Sequence, residues 1–100
     1  MIKYIFTLLI ICGFNSFISS QQIVILDSQS SRVLDAVRIT DRSGTLQVFT
    51  DLNGEADISP FKNQSSIFIS LIGYSIEEVT WSQIEAMKFK VELTPSQIHL

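Results

Sequence analysis

The sequence is poor in the residues that build reactive or metal-binding centres. Its one cysteine is Cys12 and its one histidine is His99, near opposite ends of the chain. The rest of the chain therefore has no internal disulfide and no thiolate metal site, and a lone histidine has no neighbour to orient it. No G-x-S-x-G segment occurs, and the acidic residues fall in turns or on polar strand faces. We therefore predict a protein that is not an enzyme and holds no metal or other cofactor.

Basic residues are also scarce, which bears on the kind of partner. Beyond residue 20 the chain has six basic and ten acidic side chains, a formal charge of −4. Binding to nucleic acid depends on a basic face that neutralises phosphates. The composition thus predicts no nucleic-acid partner, and the acidic balance favours solubility.

The longest apolar run lies at the start of the chain. Lys3 precedes the apolar segment 5–12, and the small residues Ser19 and Ser20 follow it. This order is typical of a secretory signal peptide, and the run is well short of the roughly 20 residues that span a bilayer. We predict a signal peptide at 1–20, with a retained membrane anchor as the alternative. Lipidation at Cys12 is disfavoured because Ile11 stands where that signal has a small residue. An exported domain without disulfides fits the periplasm or cell envelope.

The remaining residues alternate between short apolar segments and turns. β-Branched runs and period-two alternation predict strands at 22–27, 36–41, 45–51, 55–58, 66–72, 74–80 and 88–93. A helical turn is predicted at 82–87 from the spacing of Trp81 and Ile84, with Ser82 and Glu85 as a capping box and Trp81 at the core edge. The pattern predicts an all-β, seven-stranded antiparallel β-sandwich, with a small open barrel as the alternative.

The segment 49–58 contains the strongest turn signal. Asn53 and Gly54 both reach positive φ at low cost, and Asp51 can accept hydrogen bonds from backbone N–H groups of the turn. We predict a β-hairpin here, with Ala56 and Ile58 on its buried face. A calcium loop beginning at Asp51 is the alternative, but its twelfth position would be Lys62, where a glutamate is needed.

A second turn follows the most apolar predicted strand. Gly73 indicates positive φ or a close backbone approach, and Tyr74 is expected to bury its ring with its hydroxyl near a backbone partner. We interpret the pair as a structural corner. The alternative is an exposed aromatic residue that binds a sugar or a protein.

Taken in order, several segments resemble those of one family. They are Ile25-Leu26-Asp27, Ala36-Val37-Arg38-Ile39, Thr50-Asp51 with Asn53-Gly54, Ser70 with Gly73-Tyr74, and Val91-Glu92-Leu93. This chain resembles the carboxypeptidase regulatory-like domain, a transthyretin-like, Ig-like β-sandwich found at the N-terminus of TonB-dependent outer-membrane receptors. The pair T-D-x-x-G and S-x-x-G-Y is the most specific part. Ala56 departs from the family, which has an aromatic residue there, so Phe49 or Phe61 is expected to fill the space.

The resemblance implies the domain limits and the role. It implies a non-catalytic module at 21–94 that faces the periplasm, peripheral to the outer membrane of a Gram-negative bacterium. Residues 95–100 would lead towards a plug and barrel domain of the same protein, with that domain or envelope proteins as partners. Two alternatives stay open: an exported sandwich that binds carbohydrate or protein on its own, and an accessory domain beside a peptidase.

Overall fold

The computed structural model describes residues 20–96. The predicted signal peptide, apart from Ser20, lies outside the described residues, and so do Cys12 and His99. In the described range, no helix is both long enough and apolar enough to pass through a bilayer.

Most of the regular structure is β-strand, arranged in two sheets. The strands are β1 (Gln22–Asp27), β2 (Arg38–Thr40), β3 (Gln47–Phe49), β4 (Glu55–Asp57), β5 (Ile67–Ser70), β6 (Glu77–Val79) and β7 (Lys90–Leu93). One sheet has the order β4-β1-β7 and the other the order β3-β2-β5-β6. A 3-10 turn spans Ser59–Phe61, and one helix, α1, spans Trp81–Ala86. The expectation of a mostly β protein with little helix is confirmed for these residues.

Period-two alternation explains which side chains are buried. In β1, Ile23 and Ile25 are fully buried, and the strand has the predicted bounds. The same alternation buries Val91 and Leu93 in β7. Buried residues of both sheets belong to one hydrophobic cluster. The other predicted strands are longer than those observed, because their ends already belong to turns.

The prediction of a purely antiparallel arrangement is wrong for one pair of strands. β1 pairs antiparallel with β4 but parallel with β7, in the register Val24↔Lys90 to Asp27↔Leu93. Alternation of apolar residues sets which face of a strand is buried, but it carries no information on the direction of the neighbouring strand.

The predicted β-hairpin is also wrong. β3 pairs with β2, whereas β4 pairs with β1 in the other sheet. The segment Asp51–Gly54 is therefore a connection between sheets. The residues of a turn determine only its local shape, whereas long-range packing determines the partner of each strand. This packing places β3 and β4, on either side of the turn, in different sheets.

Helix α1 begins where a capping box forms, though not the predicted one. The Thr80 side chain accepts a hydrogen bond from the Gln83 N–H, and the Gln83 side chain accepts one from the Thr80 N–H. The helix therefore starts before Ser82. Ile84 is fully buried, and the half-buried Trp81 ring packs edge-on against Phe89 with 5.7 Å between centroids. The expected place of Trp81 at the core edge is confirmed.

Candidate functional site

Thr50, the first residue of the T-D-x-x-G motif, joins two backbone segments. Its Oγ1 accepts a hydrogen bond from the Val37 N–H at 2.9 Å and donates one to the Leu34 carbonyl at 2.7 Å. Its own N–H donates to the Val37 carbonyl, and its carbonyl accepts from the Ala36 N–H. The side chain is buried. Thr50 therefore holds the entry to β2, where Ala36 has a φ of +58°.

The rest of the motif forms the connection between the sheets. One carboxylate oxygen of Asp51 accepts hydrogen bonds from the Asn53 and Glu55 N–H groups at 2.9 and 3.0 Å, as predicted. Gly54 has a φ of +73°, but Asn53 is not among the residues with positive φ. A Cβ on Gly54 would lie 2.8 Å from the Cβ of Val33 and 3.0 Å from the Ile25 carbonyl oxygen. Two features of this position thus favour glycine: the positive φ, and neighbouring atoms that leave no room for a Cβ.

Tyr74, in the turn after β5, and Asp27, at the end of β1, form a side-chain hydrogen bond. The Tyr74 hydroxyl donates to the carboxylate of Asp27 at 2.6 Å, and the other carboxylate oxygen accepts from the Gln29 and Ser30 N–H groups. The hydroxyl and these two N–H groups together hold the pKa of Asp27 below its ordinary value. The same bond to Asp27, together with burial, raises the pKa of Tyr74. The partner of the hydroxyl is thus a carboxylate, and the expectation of a backbone partner is wrong.

Backbone hydrogen bonds fix the same corner to the chain that follows β7. The Ser96 N–H donates to the Gly73 carbonyl and the Ser75 N–H donates to the Thr94 carbonyl, both at 2.9 Å. Gly73 has a φ of +93°, as predicted, and open space lies where its Cβ would be. The corner interpretation of Gly73 and Tyr74 agrees with this geometry.

An open cleft of about 660 Å³ lies beside this corner. Ser70, Gly73 and Tyr74 of the S-x-x-G-Y motif line it, together with Ala36, Arg38, Phe49, Leu71, Ile72 and Ile76. Three of its apolar side chains are strongly exposed, with 99% for Ile72, 68% for Ile76 and 52% for Phe49. A concave site with mostly apolar walls and a few polar groups is the usual form of a binding site. The cleft is therefore the candidate functional site.

The predicted motif residues divide into two groups. Ser70, Gly73 and Tyr74 line the cleft. The other four, Thr50, Asp51, Asn53 and Gly54, lie between β3 and β4 and are not among its lining residues. The sequence reasoning missed Arg38 and Phe49 as lining residues. Alternation in their strands could have shown that both face away from the core, but not that they are cross-strand partners.

Phe49 and Phe61 are the two side chains expected to fill the space left by the small Ala56. Ala56 and Phe61 are both buried, whereas Phe49 is half exposed. Of the two expected substitutes, Phe61 is thus the one in the core.

Residues 20–96 also bear on the predicted absence of a metal site. No group of three or more acidic, histidine or cysteine side chains in this range could hold a metal ion. Asp51, which began the alternative calcium loop, uses one oxygen for backbone N–H groups of its own turn.

A comparison of the chain with protein-family models, with curated proteins and with solved structures found no match. The resemblance to the carboxypeptidase regulatory-like domain thus stays a prediction, based on the residues quoted for it.

Proposed function

We propose that residues 21–94 form a transthyretin-like, seven-stranded β-sandwich of the carboxypeptidase regulatory-like kind. In this proposal it is a non-catalytic interaction module facing the periplasm, at the N-terminus of a TonB-dependent outer-membrane transporter. The described strands form two separate sheets whose buried residues share one hydrophobic cluster, and this separation supports a sandwich in preference to an open barrel.

One observation carries the proposal: the polar groups of the two motifs serve the fold, and an apolar cleft lies open beside them. Thr50 and Asp51 bond to backbone, and Tyr74 bonds to Asp27. Side chains whose polar atoms already form hydrogen bonds within the fold are poorly placed for acid–base or nucleophilic catalysis. The exposed apolar side chains of the cleft are instead suited to a partner.

Export can be tested directly. The complete chain, with a C-terminal epitope tag, is produced in a Gram-negative host, and cell fractions are analysed by intact mass. We expect loss of residues 1–20 or 1–21 and recovery with the periplasm or outer membrane. A matched control carries Leu8→Arg and Leu9→Arg, which interrupt the apolar run and should block export. Recovery of the unprocessed chain from the cytoplasm would contradict the proposal.

The sequence of the gene after the Leu100 codon tests the rest. Hundreds of residues with alternating ten-residue strands would indicate an outer-membrane barrel and support the transporter assignment. A peptidase domain would favour the accessory role instead. A stop codon would favour an independent binding protein, the second candidate, which the exposed Ile72 and Phe49 support.

A further inference from the structure

We infer that the cleft binds an extended peptide segment of a partner protein in which one carboxylate is flanked by apolar side chains. This inference rests on the proposed role as an interaction module and specifies the partner for it. Four features of the cleft carry it: its apolar walls, its one cation, their order across the sheet and its few free polar groups.

The apolar walls are formed by side chains that the fold itself does not need. Ile72 is 99% exposed and Ile76 68% exposed, so neither contributes much to the core. Phe49 is half exposed on the edge strand of its sheet. Covering these three side chains would remove apolar surface from water, which is the main favourable term in most protein associations.

Arg38 is the cation of the cleft, and within the described residues 20–96 no acidic side chain pairs with it. All ten acidic side chains lie within residues 20–96, and the ion pair found there joins Arg42 and Glu78. The Arg38 Nε donates a 2.8 Å hydrogen bond to the Gln47 side chain, which holds the guanidinium in place. Its terminal nitrogens make no hydrogen bond within the described residues. A held guanidinium fork is well suited to a carboxylate, which it can bind in a bidentate manner.

The order of these groups across the sheet favours an extended ligand. Phe49, Arg38 and Ser70 are cross-strand neighbours in three successive strands. Neighbouring strands are about 4.8 Å apart, so Phe49 lies on one side of the cation and the apolar residues after Ser70 lie on the other. In an extended peptide, residues i and i+2 share a face. An acidic residue with apolar residues two positions before and after it would match this arrangement.

The polar groups of the cleft disfavour a sugar as the ligand. A sugar offers many hydroxyl groups, which need several donors and acceptors. The polar side chains that line the cleft are Arg38, Ser70 and Tyr74, and the Tyr74 hydroxyl is already bonded to Asp27. The formal charge of −4 beyond residue 20 also disfavours a strongly acidic partner, so a single carboxylate among apolar residues fits best.

The test is a selection of phage-displayed random dodecapeptides on protein purified from expression of the complete chain. We expect enrichment of peptides with one Asp or Glu and apolar residues two positions to each side. The most enriched peptide is then synthesised with a fluorophore, and its affinity is measured by fluorescence anisotropy. Its counterpart with the acid replaced by the amide should bind about 10- to 100-fold more weakly, the usual effect of losing a charge-assisted hydrogen bond.

Variants of the protein identify the surface. Arg38→Gln should weaken binding of the acidic peptide by about 10- to 100-fold, with no further loss for the amide peptide. Arg32→Gln is the matched control, because Arg32 is exposed, carries the same charge and does not line the cleft. Ile72→Ser should also weaken binding while the urea midpoint is unchanged, because the side chain is almost wholly exposed.

Several results would overturn the inference: no enriched peptide, enriched peptides without an acid, unchanged affinity of Arg38→Gln, or binding to a glycan array in place of peptides. Peptide binding by the purified protein does not depend on the compartment or on a downstream domain. Failure of this test would therefore leave the exported role intact, and failure of export would leave the peptide result intact.

Discussion

The phenolic oxygen of Tyr74 and the carboxylate of Asp27, 2.6 Å apart, join the turn after β5 to the end of β1 in the other sheet. Tyr74→Phe keeps the ring and removes the hydroxyl. We expect a lower free energy of unfolding and a higher Asp27 pKa, because the hydroxyl is the largest cause that depresses this pKa. Urea unfolding and an NMR titration of the carboxyl group would measure both. An unchanged Asp27 pKa would show that the bond does not form in solution.

The same pair predicts how stability depends on pH. The Asp27 pKa is lower in the folded state, so its contribution is complete above about pH 3.8 and is lost as the pH falls through the folded value. The Tyr74 pKa is raised, so its contribution is complete below about pH 10.0 and is lost as the pH rises through the folded value. Urea unfolding across the pH range should show both losses.

Two variants separate these effects. In Tyr74→Phe the alkaline loss due to Tyr74 should vanish and the acid loss should become smaller. Asp57 adds to the acid loss, because the Ser59 side chain and N–H lower its pKa, and Asp57→Asn would remove that part. An identical alkaline profile in Tyr74→Phe would contradict the assignment.

Gly54 should tolerate substitution less well than Gly44, although both have positive φ. Alanine at either position would be strained by the left-handed backbone. A Cβ at Gly44 would enter open space, whereas a Cβ at Gly54 would meet Val33 and the Ile25 carbonyl. We expect Gly54→Ala to cost about 1–3 kcal/mol more than Gly44→Ala, the usual penalty for overpacking. Urea unfolding of the two variants measures this difference. Equal losses would mean that the neighbours move aside at no cost.

Thr50→Val should be strongly destabilising although the two side chains have the same shape. The change leaves the Val37 N–H and the Leu34 carbonyl without their partner, and an unpaired buried polar group costs about 1–3 kcal/mol. Thr50→Ser keeps the hydroxyl and should lose less. Thr45→Val, at an exposed turn position, should change the free energy of unfolding by less than about 0.5 kcal/mol. If the Thr50→Val protein had the same free energy of unfolding as the wild type, the proposed role of this hydroxyl would be refuted.

The start of helix α1 can be tested by a pair of variants. Thr80→Ala removes the observed cap and should cost about 0.5–2 kcal/mol, whereas Ser82→Ala should be close to neutral. Thermal unfolding of both proteins gives the comparison. A larger loss for Ser82→Ala would restore the capping box that the sequence alone suggested.

Local features of the fold were predictable because their causes are local. β1 has the predicted bounds, since a β-branched run ends at a turn cluster. Asp51 accepts the predicted hydrogen bonds, since its side chain reaches only nearby N–H groups. Positive φ at Gly54 and Gly73 follows from residue type.

What the sequence did not reveal depends on distant residues or on competing local signals. The parallel pairing of β1 with β7 and the separation of β3 from β4 are set by packing of the whole chain. Thr80 with Gln83 and Ser82 with Glu85 have the same spacing, so pattern alone could not choose between them. Of the nine residues that line the candidate site, three were singled out in the sequence, as the structural motif residues Ser70, Gly73 and Tyr74. Arg38 was missed because its position across from Phe49 depends on strand register.

The place of β1 in its sheet has a consequence for the order of folding. β1 lies between β4 and β7, so the sheet around the first strand of the described residues is completed only by the last strand in that range. A chain that emerges N-terminus first cannot complete this sheet until residues 90–93 are free, and contacts between such distant segments slow folding. Whether the chain emerges from a ribosome or from a translocation channel, this sheet therefore cannot be completed before β7 has been released.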